Sequence, residues 1–275
     1  MKQPGKVLIV APSFQTVFHA SVYAQFIRLI KPPREALFRS ITDDESAQKE
    51  HLEAALEQIH PVLLVAVSVC PDTETVGAYA SAKVPIILID EEKAGLTTIS
   101  TDNYAGGRIA AEYLISRGRE KMAIVSGRTG VKGGYNAELR RKGFQDALKE
   151  AGRPFSTDRV VEVERYSREE GFEVLPLMLD KGIDAIFCAA GDDCGVGLLM
   201  AAKKRGKRIP EDIAIVGFDD MLVARVSSPP LTTIRQPLEK IANTVYQMIV
   251  QENVSLLQNP QKTLFNPELV VRQSA

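Results

Sequence analysis

Apolar residues along this chain fall into short β-branched and aliphatic runs, separated by longer stretches in which they recur every three to four positions. The runs are Val7–Ala11, Val62–Val69, Val84–Ile89, Met122–Ser126, Asp184–Ala189 and Ile213–Phe218. Each has the length of one buried strand, and the stretches between have helical period. Strand alternating with helix predicts an α/β protein with parallel sheets, because parallel neighbours must be joined by a crossover. Three runs precede residue 100 and three follow it, which predicts two similar Rossmann-like lobes.

Polar punctuation places several helix ends. Thr42-Asp43-Asp44-Glu45 has capping-box spacing, and Leu52, Ala55, Leu56 and Ile59 then share one helical face. A second helix opens at Asn103, runs through Arg117 and stops at Gly118. A third runs from Asn136 to Ala151 and stops at Gly152. No low-complexity linker divides the lobes, so the crossings are expected to be short and suited to hinge closure.

Composition narrows the function. The 275 residues, 45% hydrophobic, suffice for a large core, and 34 basic against 35 acidic residues leave no chain-wide basic field for holding nucleic acid. Three cysteines, Cys70, Cys188 and Cys194, make neither an even disulfide set nor a metal-ligand pattern, which favours the reducing cytoplasm. The apolar stretch from Val7 to Ala11 is too short for a signal or membrane segment, so neither export nor a membrane partner is expected.

In open α/β sheets, ligands gather beyond the carboxyl ends of the strands. Ser13 follows the first run there, Ser68 ends the second, and Asp90 and Glu91 follow the third. Asp192 and Asp193 follow the fifth, and Asp219 and Asp220 the sixth. Arg140 lies in the early turns of the helix after the fourth. Carboxylates with one guanidinium suit a hydroxyl-rich ligand, since the acids accept from hydroxyls while the Arg fork donates. A single Asp after a strand is as readily a helix cap; only the recurrence at equivalent strand ends favours a site. Phe14, Phe18 and Tyr135 are candidates for stacking on a ligand, although lone aromatics at strand ends more often belong to the core.

Enzyme readings lack their parts. Gly127, Gly130, Gly133 and Gly134 match neither the dinucleotide fingerprint nor the phosphate-binding loop, and Gly195 and Gly197 fall within a helix, where close packing explains them. His19, His51 and His60 have no nucleophile or metal-ligand partners in sequence and are expected at the surface or in caps. The basic run Lys203–Arg208 reads as a helix C-terminus with Glu211 and Asp212 close by. No cofactor, metal or catalytic residue is expected.

Two segments then carry a family likeness. Ile209-Pro210-Glu211-Asp212-Ile213-Ala214-Ile215-Val216-Gly217-Phe218-Asp219-Asp220, followed by Pro229-Pro230-Leu231-Thr232-Thr233-Ile234-Arg235-Gln236-Pro237, resembles the diagnostic stretch of the LacI/GalR (lac repressor) family. Asp102-Asn103-Tyr104-Ala105-Gly106-Gly107-Arg108, the segment Arg140–Leu148 and the ending Glu268–Gln273 support it. The resemblance implies the periplasmic binding protein-like type I fold, with two lobes joined by three crossovers. The first lobe is expected from residues 1–100 and 234–262, the second from 101–233 and 263–275. It implies a small effector (sugar, sugar phosphate, nucleoside or purine) in the cleft, touched by Asp90, Asn136, Arg140, Asp192 and Asp219. Glu91, Ser13 and Phe14 join them as weaker candidates, because Ser13–Phe18 departs from the family's usual first loop. Gly191 stands where the family often has Asn.

The function so implied is ligand sensing and homodimerisation in a transcriptional regulator, with effector-linked lobe closure altering DNA binding. Since the first strand begins almost at once, DNA contact is expected only through a head absent from this chain. The alternative is a solute-binding protein of a sugar transporter, from which the lack of a signal segment separates it; an enzyme comes third.

Overall fold

The computed structural model describes residues 5–12, 16–41, 44–130, 134–153, 155–250 and 259–275. The chain divides into two compact units, residues 1–101 with 238–265 and residues 102–237 with 266–275. It therefore passes between them three times, and two of the passages lie a few residues later than expected: Ile234 and Arg235 pair in the second sheet, and Thr263–Phe265 in the first.

In the first unit the strands are β1 (Gly5–Ala11), β2 (Arg34–Ser40), β3 (Leu63–Val67), β4 (Ile86–Ile89), β5 (Thr97–Thr101) and β11 (Lys262–Phe265). They form one sheet in the order β11-β5-β4-β3-β1-β2, parallel throughout. Its helices are α1 (Val17–Leu29), α2 (Glu45–Ile59), α3 (Thr73–Ser81) and α9 (Leu238–Val250). Val7, Ile9, Val65 and Ile87 face one core with α1 and α9, while Leu8, Val10, Leu64 and Leu88 face another with α2 and α3. Burial on both faces explains why these strands read as unbroken apolar runs. The cap of α2 is Asp44, which accepts from Ala47 N at 2.8 Å, rather than Thr42, which with Asp43 lies outside the described residues.

In the second unit β6 (Met122–Gly127), β7 (Val160–Val163), β8 (Ala185–Cys188), β9 (Ala214–Asp219), β10 (Thr232–Arg235) and β12 (Glu268–Val270) form a sheet in the order β12-β10-β9-β8-β6-β7. Only β12 runs antiparallel. The helices are α4 (Asn103–Ser116), α5 (Tyr135–Glu150), α6 (Arg168–Leu179), α7 (Asp192–Lys204) and the short α8 (Leu222–Val226). Helices α4 and α5 cover the face bearing Ile124, Phe187 and Phe218, and α6 and α7 cover the face bearing Val125, Ile186 and Ile215.

Both helix pairs meet backbone to backbone. A Cβ on Gly107 of α4 would lie 2.0 Å from the Arg140 carbonyl oxygen, and one on Gly143 of α5 the same distance from that of Tyr104. Gly171 and Gly197 stand in the same relation to Cys194 and Arg168, so the glycines in α7 serve packing. Arg108 clasps Glu150 at 2.9 and 2.6 Å, and Tyr104 donates to Asp146 at 3.0 Å, across the first pair.

Where β9 ends, Asp220, 5% exposed, accepts from Arg235 at 2.7 Å, Arg225 at 3.3 Å and Arg272. One carboxylate thus ties α8, β10 and Arg272, two residues past β12, to the end of β9. Burial pushes its carboxyl up, but Arg272 and Arg235 outweigh this and hold it below its ordinary value. Cys70, Cys188 and Cys194 are unbridged. Among the described residues no helix is long and apolar enough to cross a membrane.

Three outcomes are expected in denaturant unfolding. Gly107→Ala should cost about 2 kcal/mol or more, because the new methyl collides with rigid backbone. Gly77→Ala in α3, where nothing lies within 4 Å of the new atom, should stabilise by about 0.5–1 kcal/mol. Asp220→Asn should cost about 3 kcal/mol at pH 7 by breaking a buried charge network. A carboxyl held low in the fold stabilises above its unfolded value of about 3.9 and loses this as the pH falls through the folded value. The gap between Asp220→Asn and wild type should therefore narrow as the pH is lowered from 5; a constant gap would contradict the assignment.

Candidate functional site

The carboxyl end of the second sheet is where the polar residues converge. Strand β8 is followed by the turn Ala189-Ala190, Gly191 and the start of α7, β9 ends at Asp219, and β10 leads to Gln236. The first turns of α4 and α5 bring Asn103, Asn136 and Arg140 to the same end, joined to one another and to Ala189 by hydrogen bonds.

Arg140 is the centre of this arrangement. Its Nε donates to Asn103 Oδ1 at 2.7 Å, one terminal nitrogen donates to the Ala189 carbonyl at 2.9 Å, and the guanidinium carbon sits 3.6 Å above the centroid of the Phe218 ring. A cation over an aromatic face is attracted by the ring quadrupole, so Phe218 fixes the plane of the fork while Asn103 and Ala189 fix its rotation. Asn103, 1% exposed, also donates from Nδ2 to Asn136 Oδ1 at 2.8 Å.

Asp219 balances this charge. Its Oδ1 accepts from Gln236 Nε2 at 2.6 Å. Burial pushes its carboxyl up, against the pull of Arg140 and the Gln236 hydrogen bond. Its backbone has φ 108°, a left-handed value costly for a residue with a side chain, and such strain collects at binding sites. Gly191 has the same φ, and a Cβ there would lie 3.0 Å from Asp219 Oδ2. Both the conformation and the close approach call for glycine where the family often carries Asn.

Asp192, a candidate effector contact, is the first residue of α7. It is 1% exposed, with Oδ1 accepting from Thr233 Oγ1 at 2.6 Å and Oδ2 from Met221 N at 2.7 Å. Burial, then the neighbouring charge of Asp219, pushes its carboxyl well above the ordinary range. It joins α7, β10 and the turn after β9 beneath the site. Asp193 pairs with Arg168 across α6 and α7 at 2.6 Å.

At the carboxyl end of the first sheet, Asp90 and Glu91 are buried, 3% and 7% exposed, directly after β4. Asp90 and Ser68, which follows β3, both have left-handed backbones, at φ 60° and 53°. Ser13 and Phe14 lie outside the described residues. Phe18 packs partly buried against the first unit's core, edge-on to His19, and Tyr135, 41% exposed, opens α5. His19 is itself 8% exposed, its ring bonded to the α1 cap Thr16, and His60 ends α2 in a left-handed turn.

Sequence reasoning missed Asn103, Gln236 and Phe218 as members of this cluster, and passed over Tyr166. The first three stood inside the quoted motifs. Tyr166, 37% exposed with φ 56°, covers Gly127 at the end of β6 so closely that a Cβ on that glycine would lie 2.3 Å from the phenol oxygen. Its signal was weak because β7, which precedes it, is a short edge strand.

Among the described residues no cluster of His, Cys, Asp and Glu is arranged to hold a metal ion. The set instead offers one fixed guanidinium, amide groups and a carboxylate, with a ring at hand, which is a binding chemistry for small polar molecules.

Comparison with known proteins gives the family. Residues 111–275 match the model of the periplasmic binding protein-like domain. The chain is 33% identical over 71% of its length to the HTH-type transcriptional regulator DegA of Bacillus subtilis, of which it spans 57%. It is 32% identical over 82% of its length to the HTH-type transcriptional repressor PurR of Yersinia pestis, of which it spans 67%. Its fold matches that of a LacI family transcriptional regulator from Enterococcus faecium with bound ribose, at a TM-score of 0.85, 19% identity and 98% of both chains. With its diagnostic segments seated on β9 and β10 of the second sheet, the chain belongs to the LacI/GalR family and has that family's periplasmic binding protein-like fold.

Proposed function

We propose that the chain senses a small polar effector and through it regulates transcription, working as a homodimer in the cytoplasm. The observation that carries this is Arg140, held by Asn103, Ala189 and Phe218 at a sheet end where Asp219 balances its charge. Asn136, Arg140 and Asp219 are the second unit's contacts with the effector, with Gln236 and Tyr166 beside them. Asp192 supports them from below through Thr233 and Met221. Asp90 and Glu91, buried at the carboxyl end of the first sheet, stay candidates on the family resemblance alone.

The effector is a hydroxyl-rich molecule of sugar type. Hydroxyls can both accept from a guanidinium or amide and donate to a carboxylate, and the local charges already balance. The reading is of a binding protein and not of an enzyme, in keeping with the names of its relatives, which also favour a regulator over a transport component. DNA is the partner on which the effector acts.

A thermal-shift screen of sugars, sugar phosphates, nucleosides and purines tests this, followed by calorimetric titration of any hit. A ligand at about a hundred times its dissociation constant should stabilise the chain by about 2.7 kcal/mol. Arg140→Ala or Asp219→Ala should each weaken the hit by about tenfold or more, as expected for a lost hydrogen bond to a charged group. A hit indifferent to both substitutions would contradict the site.

A further inference from the structure

We infer that Asn103, which lies behind the residues assigned to the effector, sets the hydrogen-bond polarity of the site and is a positioning residue for its specificity. The inference rests on the proposed effector site and adds to it which way round that site is wired.

The argument follows from donor and acceptor chemistry. Arg140 Nε carries a hydrogen and can only donate, so the Asn103 side-chain atom 2.7 Å from it must be the amide oxygen. The other end of that amide is then the NH2 group, and it faces Asn136 at 2.8 Å. A group facing an NH2 must accept, so Asn136 turns its oxygen inward. Asn136 is thereby left with its own NH2 on the side away from Asn103. An effector group that meets this nitrogen meets a donor.

One amide therefore sets two neighbours at once. Asn103 can do so because it does not turn: it is 1% exposed, it is the first residue of α4, and the preceding Asp102 caps that helix through Ala105 N at 2.9 Å. The Gly107 and Gly143 contact lets α4 and α5 approach closely, which keeps Asn103 within reach of both Asn136 and Arg140. The site then has two sides of opposite polarity. Arg140 and Asn136 donate, while Asp219, already holding the Gln236 amide, accepts. The effector class that fits is a neutral polyol, one oxygen accepting on the α4/α5 side while another hydroxyl donates toward Asp219.

Asn103→Asp is the informative substitution. The carboxylate still accepts from Arg140 but cannot donate to Asn136, so the Asn136 amide turns over and offers oxygen where it offered NH2. For the best-binding sugar of the screen, Asn136→Ala in the wild-type background should weaken binding about tenfold, the size of one hydrogen bond. Asn103→Asp should weaken it at least as much. In the Asn103→Asp background, Asn136→Ala should then cost nothing further, or recover affinity by removing the misdirected oxygen. Additive losses in this cycle, or an Asn103→Asp chain that binds like wild type, would overturn the inference.

If no sugar binds the wild-type chain, the proposed function fails while the wiring can still be read. In the unliganded chain the Arg140 Nε–H and Asn136 NH2 signals, assigned by Arg140→Lys and Asn136→Ala, should both move in Asn103→Asp. An Asn136 signal that does not change would overturn the inference in that case.

Discussion

The second unit is organised around a cation that is kept in place without being buried in an ion pair. The guanidinium of Arg140 lies on the Phe218 ring and is pinned at two nitrogens by Asn103 and the Ala189 carbonyl. Each restraint comes from a different element: Phe218 from β9, Asn103 from α4, Ala189 from the turn after β8. The position of the fork therefore depends on the sheet register and on the α4/α5 contact being right together. Ordering a long side chain in advance lowers what an incoming ligand must spend to use it, which is the usual advantage of a preorganised site.

The carboxylates near this centre divide the work by depth. Asp219 lies beside Arg140 and bonds Gln236. Asp192, beneath it, holds α7 to β10 and to the turn after β9, and Asp220 gathers three arginines around the same turn. Three acids close in sequence or in space thus have unequal protonation tendencies, two pushed up by burial and one held down by arginines. Backbone strain accompanies them, since Asp219 and Asp220 both have positive φ, and Gly191 supplies the conformation and the space that Asp219 needs.

Of the twelve strands among the described residues, six were legible in the sequence because they are apolar on both sides. The other six were not, for a consistent physical reason. Strand β2 is an edge strand with Arg34, Glu35 and Arg39 in it, β5 and β10 are rich in threonine, and β7, β11 and β12 are short edge strands. Candidate site residues were legible where a motif fixed their position after a strand, as with Arg140 and Asp219. Depth was not: nothing local to Asp192 reveals that Thr233, 41 residues on, will claim its oxygen. Nor could the sequence show that Asn103, read as the start of a helix, would hold Asn136 and Arg140 at the same time.

A crystal structure of the chain with its tightest-binding effector tests the central claim most directly. The expected result is an effector with one oxygen accepting from Arg140 and Asn136 and another hydroxyl donating toward Asp219, while Asn103 keeps its bond to Arg140 Nε. An effector bound away from the carboxyl end of the second sheet, or one whose removal of Arg140 from Phe218 is needed for binding, would contradict the account.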